Sequence, residues 1–290
     1  MSKPNPAELI LHPDGSIYHL KIRPENLADT VLLVGDPGRV AAISAHFDRY
    51  DFKGQNREIL THTGFIGSKR ITVMSTGMGT DNIDIVLNEL DALATFDFQL
   101  RTPHPSPRKL DLIRIGTTGS LHRDIPVNSF ILSGVGLVMD TLLNFYKTES
   151  SAFLHSLAEA FAQQGRWDSS LGMPYAVECN RELASLFREN AVEGITATAP
   201  GFYGPQGRFL RLPLKMPDLN ERMMQFEYKG LRITNLEMET SALYGLSALM
   251  GHRALTLCLA IANRASGEFN QNYKPEMDKL IRLVIEKIIR

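Results

Sequence analysis

Hydrophobic and polar positions follow two different periods along this chain, and their alternation predicts an α/β protein. Apolar runs of strand length are followed by stretches whose apolar residues recur at helical spacing. The pattern predicts strands at 30–34, 58–63, 70–75, 110–115, 130–133, 194–199, 231–236 and 254–262. It predicts helices after Asp36, over the stretch with Ile83, Val86, Leu87, Leu90 and Leu93 on one face, and at 151–161, 242–250 and 275–290.

The junction between the strand at 231–236 and the following helix carries Glu237, Met238 and Glu239. The carboxyl end of a sheet strand is where α/β folds bind ligands. Two carboxylates in an apolar environment require partners, and the hydroxyl groups of a ribose would satisfy both. The alternative is an acidic helix start that complements the helix dipole, with Thr240 or Ser241 as the N-cap.

The turn after the strand at 30–34 has the features of an anion site. Asp36 can cap a helix with Pro37 at its first position, and Gly35 permits close approach of the backbone. The free N–H groups of the helix start and the nearby Arg39 would then face an anion. An ordinary capped turn remains the alternative.

Arg114 lies inside a strand that reads as buried, so its charge must be paired. The sequence Gly-Thr-Thr-Gly-Ser at 116–120 is expected to form a turn after that strand and a second cradle for an anion. Its spacing does not match the dinucleotide-binding fingerprint.

The segment 200–208 combines aromatic side chains with Gln206 and Arg208. Such groups can stack on a flat ring and hydrogen-bond to its edge. A surface loop with chance aromatic residues is the alternative.

Composition narrows the class of protein. The 290 residues are 43% hydrophobic and 22% charged with a net charge of −1, so nothing favours a nucleic acid or an anionic membrane as a partner. No signal peptide or membrane-spanning run is evident. Cys179 and Cys258 show neither a metal-binding spacing nor a disulfide framework, which predicts a reduced, cytoplasmic protein.

The ordered motifs resemble the nucleoside phosphorylase-I family, and within it the bacterial uridine phosphorylases. The matching blocks are YHL at 18–20, VGDPGRV at 34–40, NRE at 56–58, STGMG at 75–79, RIGTTG at 114–119, FYGPQGR at 202–208, EME at 237–239 and ANR at 262–264. The resemblance covers roughly residues 18–290, with 1–17 as an N-terminal extension and insertions near 101–109 and 145–168. It implies one α/β domain over 1–290, with three layers and a central mixed, partly barrel-like sheet flanked by helices.

The resemblance also implies a role for each matching residue. Phosphate would be bound by Gly35, Arg39, Arg57, Arg114 and Thr117, and the ribose by His19, Met238 and Glu239. The pyrimidine would be bound by Thr118, Gly119, Phe202, Gln206, Arg208 and Arg264. Arg57 and His19 would reach into the site of a neighbouring subunit, in dimers or in hexamers built from dimers.

The implied reaction is phosphorolysis of uridine, or of deoxyuridine or thymidine, with phosphate as co-substrate and no cofactor. Arg114, Gln206, Arg208 and Glu239 would carry the catalysis. Arginines would hold the phosphate beside the oxocarbenium-like sugar, and Gln206 and Arg208 would stabilise the charge on the leaving base. A purine nucleoside phosphorylase or a hydrolytic nucleosidase on the same fold and a non-catalytic nucleoside-binding protein remain alternatives. The nucleosidase and the binding protein would not need Arg39, Arg57 and Arg114 together.

Two departures from the family pattern bear on substrate and cation. Purine-cleaving relatives place an aspartate where this chain has Asn263, which favours a pyrimidine, while Ala265 stands where a threonine is typical. Uridine phosphorylases can bind potassium at the dimer interface through a glutamate matching Glu58 and a serine at the position of Asn82. An amide oxygen can also coordinate a cation.

Overall fold

The computed structural model describes residues 3–148 and 150–290. In this part of the chain the strands are β1 Thr30–Val34, β2 Arg49–Asn56, β3 Ile59–Ile66, β4 Lys69–Ser75, β5 Phe96–Asp97, β6 Thr102–Pro103, β7 Asp111–Ser120, β8 Phe130–Val138, β9 Tyr175–Glu178, β10 Val192–Thr198, β11 Glu227–Tyr228, β12 Leu231–Glu237, β13 Arg253–Asn263 and β14 Glu268–Phe269. The α-helices are α1 Pro37–Ser44, α2 Thr80–Thr95, α3 Ala152–Gln164, α4 Arg181–Ser185, α5 Leu219–Gln225, α6 Thr240–Leu249 and α7 Lys274–Ile288.

A twelve-stranded mixed sheet has the order β11-β12-β10-β8-β13-β7-β1-β4-β3-β2, with β9 paired to β8 and β14 paired to β13. β5 and β6 form a separate two-stranded sheet. β12 also pairs with β7, through Asn235 opposite Ser120 and Leu236 opposite Gly119. This second pairing closes β12, β10, β8, β13 and β7 into a barrel, while β1, β4, β3 and β2 form an open wing. The expected mixed, partly barrel-like α/β fold is confirmed.

Apolar side chains of the inner strands and of one face of each long helix form the core. β1 is buried along its whole length, as a strand with both faces covered must be. On α2 the predicted face of Ile83, Val86, Leu87, Leu90 and Leu93 is buried. α2 packs against α6, which in turn contacts β8 and β13 of the barrel. α2 is therefore held to the barrel through α6.

Two local predictions are wrong. The segment 116–120 is not a turn but the second half of β7, because its backbone pairs with β13 through Ser120. The strand predicted at 58–63 ends too early, since β3 continues to Ile66 and the chain reverses at Gly67. The edge strand β2 is missing from the predicted set because its side chains are mostly exposed and carry no apolar alternation.

The stiff loop at 101–109 fastens the N-terminal segment to the domain. The Arg101 guanidinium donates to the carbonyl oxygens of Pro4 at 3.1 Å and Asn5 at 2.7 Å. Arg108 donates to the carbonyl oxygen of Leu27 at 2.9 Å. No helix among residues 3–148 and 150–290 is long and apolar enough to cross a membrane.

Candidate active site

A cavity of about 810 Å³ opens where the carboxyl ends of β1, β7, β12 and β13 meet. It is lined by the predicted site residues Gly35, Arg39, Glu58, Arg114, Thr117, Thr118, Gly119, Phe202, Gln206, Arg208, Met238, Glu239 and Arg264. A second cavity of about 770 Å³ shares Arg208 but has mostly apolar walls and none of the phosphate-cradle residues. The chemistry therefore belongs to the first cavity.

The start of α1 forms one end of this cavity. Asp36 is the N-cap, and its carboxylate accepts a hydrogen bond from the Gly38 amide at 2.9 Å, as the sequence predicts. A Cβ on Gly35 would lie 3.3 Å from the Gly77 carbonyl oxygen, so the two loops pass close together. Arg39 donates to the carbonyl oxygen of Ile115 at 3.0 Å, and burial lowers its pKa, helped by the nearby charge of Arg114.

Arg114 is buried on β7 and forms ion pairs with two carboxylates. Its Nη2 donates to Glu239 Oε2, and its Nη1 lies 3.4 Å from Glu237 Oε2. Burial by itself lowers the pKa of Arg114, but Glu239 and Glu237 outweigh it, so the pKa is raised and the guanidinium stays charged. The charge that the sequence required to be paired is paired by the acidic residues of the β12–α6 junction.

Glu237 has protein partners for its carboxylate, so the expectation that a ribose satisfies both acidic residues is wrong for this one. It accepts hydrogen bonds from the Thr198 hydroxyl at 2.8 Å and from the amides of Glu239 at 2.9 Å and Thr240 at 3.0 Å. Burial raises its pKa, and Arg114 opposes that shift. Glu237 therefore caps the free amides of α6 from inside the barrel.

The predicted N-cap of α6 is also wrong. Thr240 and Ser241 are helical residues, and Glu239 occupies the N-cap position without capping through its own side chain. Its Oε1 instead accepts a hydrogen bond from the Gly79 amide at 2.9 Å, which joins the starts of α2 and α6. Glu239 thus sits between Arg114 and the α2 loop with one edge toward the cavity, beside Met238.

Three side chains of the loop at 202–208 also line the cavity, those of Phe202, Gln206 and Arg208. The Arg208 guanidinium lies 3.7 Å from the centre of the Phe202 ring and donates to Gln206 Oε1 at 2.6 Å. Gln206 is 3% exposed. Because arginine can only donate, this contact leaves the amide NH₂ of Gln206 as the group available to a ligand. Burial, and next the charge of Arg264, lower the pKa of Arg208 to about 10, so it remains protonated at neutral pH.

Asn263, at the end of β13, uses its whole side-chain amide to hold the backbone. The NH₂ group donates to the carbonyl oxygens of His122 at 2.8 Å and Ile125 at 3.0 Å. The amide oxygen accepts from the backbone amides of Ala265 and Ser266, both at 2.9 Å. This position lines the cavity but has no free hydrogen-bonding group to direct at a base.

Arg57 and His19 do not line the cavity of their own chain. Arg57 is exposed in the turn between β2 and β3, with its guanidinium 5.8 Å from the centre of the Tyr18 ring. The Nδ1 of His19 lies 2.6 Å from Glu89 Oε1, and its carbonyl oxygen accepts from Asn56 at 2.8 Å. The side chain of His19 is 29% exposed, so its outer edge can meet another molecule.

Glu58 and Asn82, the residues that match the family's potassium ligands, both lie close to Gly77. A Cβ on Gly77 would be 2.6 Å from Asn82 Nδ2 and 3.5 Å from Glu58 Cγ. The NH₂ group of Asn82 donates to the Met78 carbonyl oxygen at 2.9 Å, which leaves the amide oxygen free to act as a donor atom for a hard cation. In the described part of the chain, no three His, Cys, Asp or Glu side chains are grouped to hold a metal ion.

Known proteins are similar to this chain in sequence and in structure. A family model described as the phosphorylase superfamily matches residues 29–290. A uridine phosphorylase of Thermococcus kodakarensis is 30% identical over 268 residues, which cover 89% of this chain and 81% of that protein. A DeoD-type purine nucleoside phosphorylase of Bacillus subtilis is 27% identical over 253 residues, covering 86% of this chain and 88% of that one.

Among solved structures, a Trypanosoma brucei nucleoside phosphorylase described as showing uridine phosphorylase activity superposes with a TM-score of 0.89. It is 28% identical, and the match covers 97% of this chain and 99% of that chain. The chain therefore belongs to the phosphorylase superfamily, and the relatives that it resembles include uridine phosphorylases and purine nucleoside phosphorylases.

Proposed function

We propose that this protein is a uridine phosphorylase, which cleaves uridine with inorganic phosphate to give uracil and ribose 1-phosphate. The observation that carries the proposal is one cavity that is lined both by Arg39, Arg114 and Glu239 and by Gln206 with Arg208. Arg114 is ion-paired with Glu239, and Arg208 is hydrogen-bonded to Gln206. The cavity therefore offers cationic groups beside a carboxylate, as phosphate and sugar require, and a second pair of donors for the base. Uridine phosphorylases among its relatives support the same reading.

In the proposed reaction, a phosphate oxygen forms a bond to C1′ as the bond between C1′ and N1 of uracil breaks. Arg39 and Arg114 hold the phosphate in line with that bond. The reaction between the two bound reactants is then effectively unimolecular. The electron pair of the broken bond moves onto N1 and the carbonyl oxygens of the base. The NH₂ group of Gln206 and the guanidinium of Arg208 donate to that developing charge, and Phe202 stacks on the ring.

The sugar is proposed to bind beside Met238 and Glu239. Each carboxylate oxygen of Glu239 has one protein partner, Gly79 or Arg114, and can accept a second hydrogen bond. Hydrogen bonds from the 2′- and 3′-hydroxyl groups would orient C1′ toward the phosphate. Thr117 is proposed to join the phosphate site, and Thr118, Gly119 and Arg264 the base site of the same cavity.

A pyrimidine is favoured over a purine because residue 263 has no acid to offer. In this chain both the NH₂ group and the oxygen of the Asn263 side chain are hydrogen-bonded to the backbone. A purine nucleoside phosphorylase activity is the second candidate, since relatives of that type match most of the chain. Deoxyuridine and thymidine differ from uridine at the sugar 2′ position, and thymidine also at C5; both are proposed as further substrates.

We propose that the active unit is an oligomer, a dimer or a hexamer built from dimers. The exposed Arg57 and the outer edge of His19 would then complete the phosphate and ribose sites of the neighbouring subunit. Their position outside the cavity of their own chain supports this arrangement.

The proposed chemistry uses phosphate as a co-substrate and draws on no cofactor. A potassium ion at Glu58 and Asn82 would serve the subunit contact, and no step is routed through it. A role in pyrimidine salvage and nucleoside catabolism in the cytoplasm follows from the proposed products, and the buried thiols Cys179 and Cys258 fit a reducing compartment.

The experiment that tests this function is a panel of uridine, deoxyuridine, thymidine and inosine, each assayed with and without phosphate. We expect uracil release from uridine only with phosphate, and ribose 1-phosphate as the second product. Uracil release at full rate without phosphate, with free ribose as product, would make the protein a nucleosidase. Faster cleavage of inosine than of uridine would make it a purine enzyme.

A further inference from the structure

Arg114 reaches its two carboxylates by lying along its own strand. In a β-strand, residues i and i+2 point to the same face, so Arg114 and Gly116 share one face of β7. A Cβ on Gly116 would lie 2.9 Å from Arg114 Cζ and closer still to Nη1. The guanidinium therefore occupies the space that any side chain at position 116 would fill.

The neighbouring strand completes the surface on which this guanidinium rests. Cys258 on β13 is paired directly with Gly116, and its sulfur accepts a hydrogen bond from Arg114 Nη1 at 3.6 Å. The same Cβ on Gly116 would be 2.9 Å from that sulfur. Gly116 and Cys258 thus form a continuous floor of small groups, and burial raises the pKa of the Cys258 thiol to about 12, so it contacts the guanidinium as a neutral group.

Apart from this floor, the two carboxylates are what hold the guanidinium in place. Arg114 is 4% exposed, and its Nε has no hydrogen-bond partner among the described residues. Glu237 and Glu239 contact only its terminal nitrogens. The floor and the two carboxylates together therefore set the position of the guanidinium.

We propose that Gly116 and Cys258 are positioning residues for Arg114, and that their small size determines where the guanidinium meets phosphate and Glu239. The proposal rests on the proposed function in assigning Arg114 to phosphate. Enlarging either residue pushes the guanidinium off the floor. Because the displaced group is the end of a flexible side chain, the strand can keep its pairing while the arginine moves.

The test compares the wild-type enzyme with Gly116→Ala and Cys258→Val. The control is Cys179→Val, which enlarges the other buried cysteine, whose charged neighbours are Glu193, Arg188 and Glu178 and do not include Arg114. KM for phosphate, KM for uridine and the thermal midpoint are measured for each, together with crystal structures of the two floor variants. Losing a hydrogen bond to a charged group corresponds to about a ten- to hundredfold change, so we expect KM for phosphate to rise by that factor in both floor variants.

We expect KM for uridine to change much less than KM for phosphate in both floor variants. The control should retain the wild-type KM for phosphate. A purely structural role would lower the thermal midpoint without separating the two KM values. The proposal is overturned if the folded floor variants retain KM for phosphate or keep the guanidinium in its wild-type place. If Gly116→Ala does not fold, Cys258→Val decides.

Failure of the proposed function is distinguishable from failure of this inference. If wild-type protein releases no uracil with phosphate, the function is wrong, and the crystal structures alone decide whether the floor positions Arg114. If the wild type is a phosphorylase and the floor variants match it, only the inference is wrong.

Discussion

The guanidinium of Arg208 donates a hydrogen bond to the side-chain oxygen of Gln206 across 2.6 Å. This contact orients the amide of a residue that is 3% exposed and lines the cavity, so its NH₂ group is the part left for a base. A uracil carbonyl accepts such a hydrogen bond, and it accepts more strongly as the glycosidic bond breaks and charge gathers on the ring.

Gln206→Glu keeps the size of the side chain and strengthens its contact with Arg208, but replaces the free donor by an acceptor. An unpaired or repelled buried group costs about 1–3 kcal/mol, so we expect kcat/KM to fall about five- to hundredfold for uridine and deoxyuridine alike. KM for phosphate should stay near its wild-type value. The control is Gln99→Glu, the same change at an exposed position. An unchanged kcat/KM would mean that the base does not meet Gln206.

Glu239→Gln should separate the ribose from the deoxyribose substrate. The neutral amide accepts more weakly from the 2′-hydroxyl, and hydrogen bonds to charged groups contribute about 1.5–3 kcal/mol. We therefore expect the ratio of kcat/KM for uridine to that for deoxyuridine to fall by up to about ten- to hundredfold. Because Glu239 also pairs with Arg114, KM for phosphate will change for both substrates, so the ratio is the informative quantity. A constant ratio would mean that the carboxylate reads only the 3′-hydroxyl.

Arg57→Ala and Arg114→Ala subunits should complement each other in mixed oligomers. Each variant is expected to be inactive alone, because each lacks one phosphate arginine in every site. A mixture that exchanges subunits regenerates sites in which Arg114 of one chain meets Arg57 of its neighbour. The measurement is uracil release after subunit exchange, with the mixed species verified by mass spectrometry. Verified mixed oligomers without activity would place Arg57 in the site of its own chain or outside any site.

Asn263→Asp should lower stability without creating a purine enzyme. The carboxylate cannot donate to the carbonyl oxygens of His122 and Ile125, and unmet buried groups cost about 1–3 kcal/mol each. We expect the thermal midpoint to fall by several degrees, at roughly 2–4 °C per kcal/mol for domains somewhat smaller than this one. Asn144→Asp, at an exposed position, is the control. Inosine cleavage by Asn263→Asp would show that residue 263 faces the base and reads it.

The sequence by itself determined the class of fold and most of the surface of the cavity. Apolar runs such as β1 and the amphipathic face of α2 carry their own period, because burial selects side chains every second residue or every third and fourth. Asp36 followed by Pro37 specified a helix start from local geometry alone. The edge strand β2 was not predicted, because its mostly exposed side chains show no alternation of apolar and polar residues.

Only the tertiary structure decided how the charges are shared. Glu237 and Glu239 are equivalent in the sequence, yet one caps α6 from the barrel interior while the other joins Arg114 to the α2 loop. The length of β7 beyond Ile115 depends on pairing with β13, a strand more than a hundred residues away. Which carboxylate caps α6, and how far the guanidinium of Arg114 lies from Gly116, depend on packing between distant strands. Neither feature can be derived from the secondary-structure propensities of the local sequence.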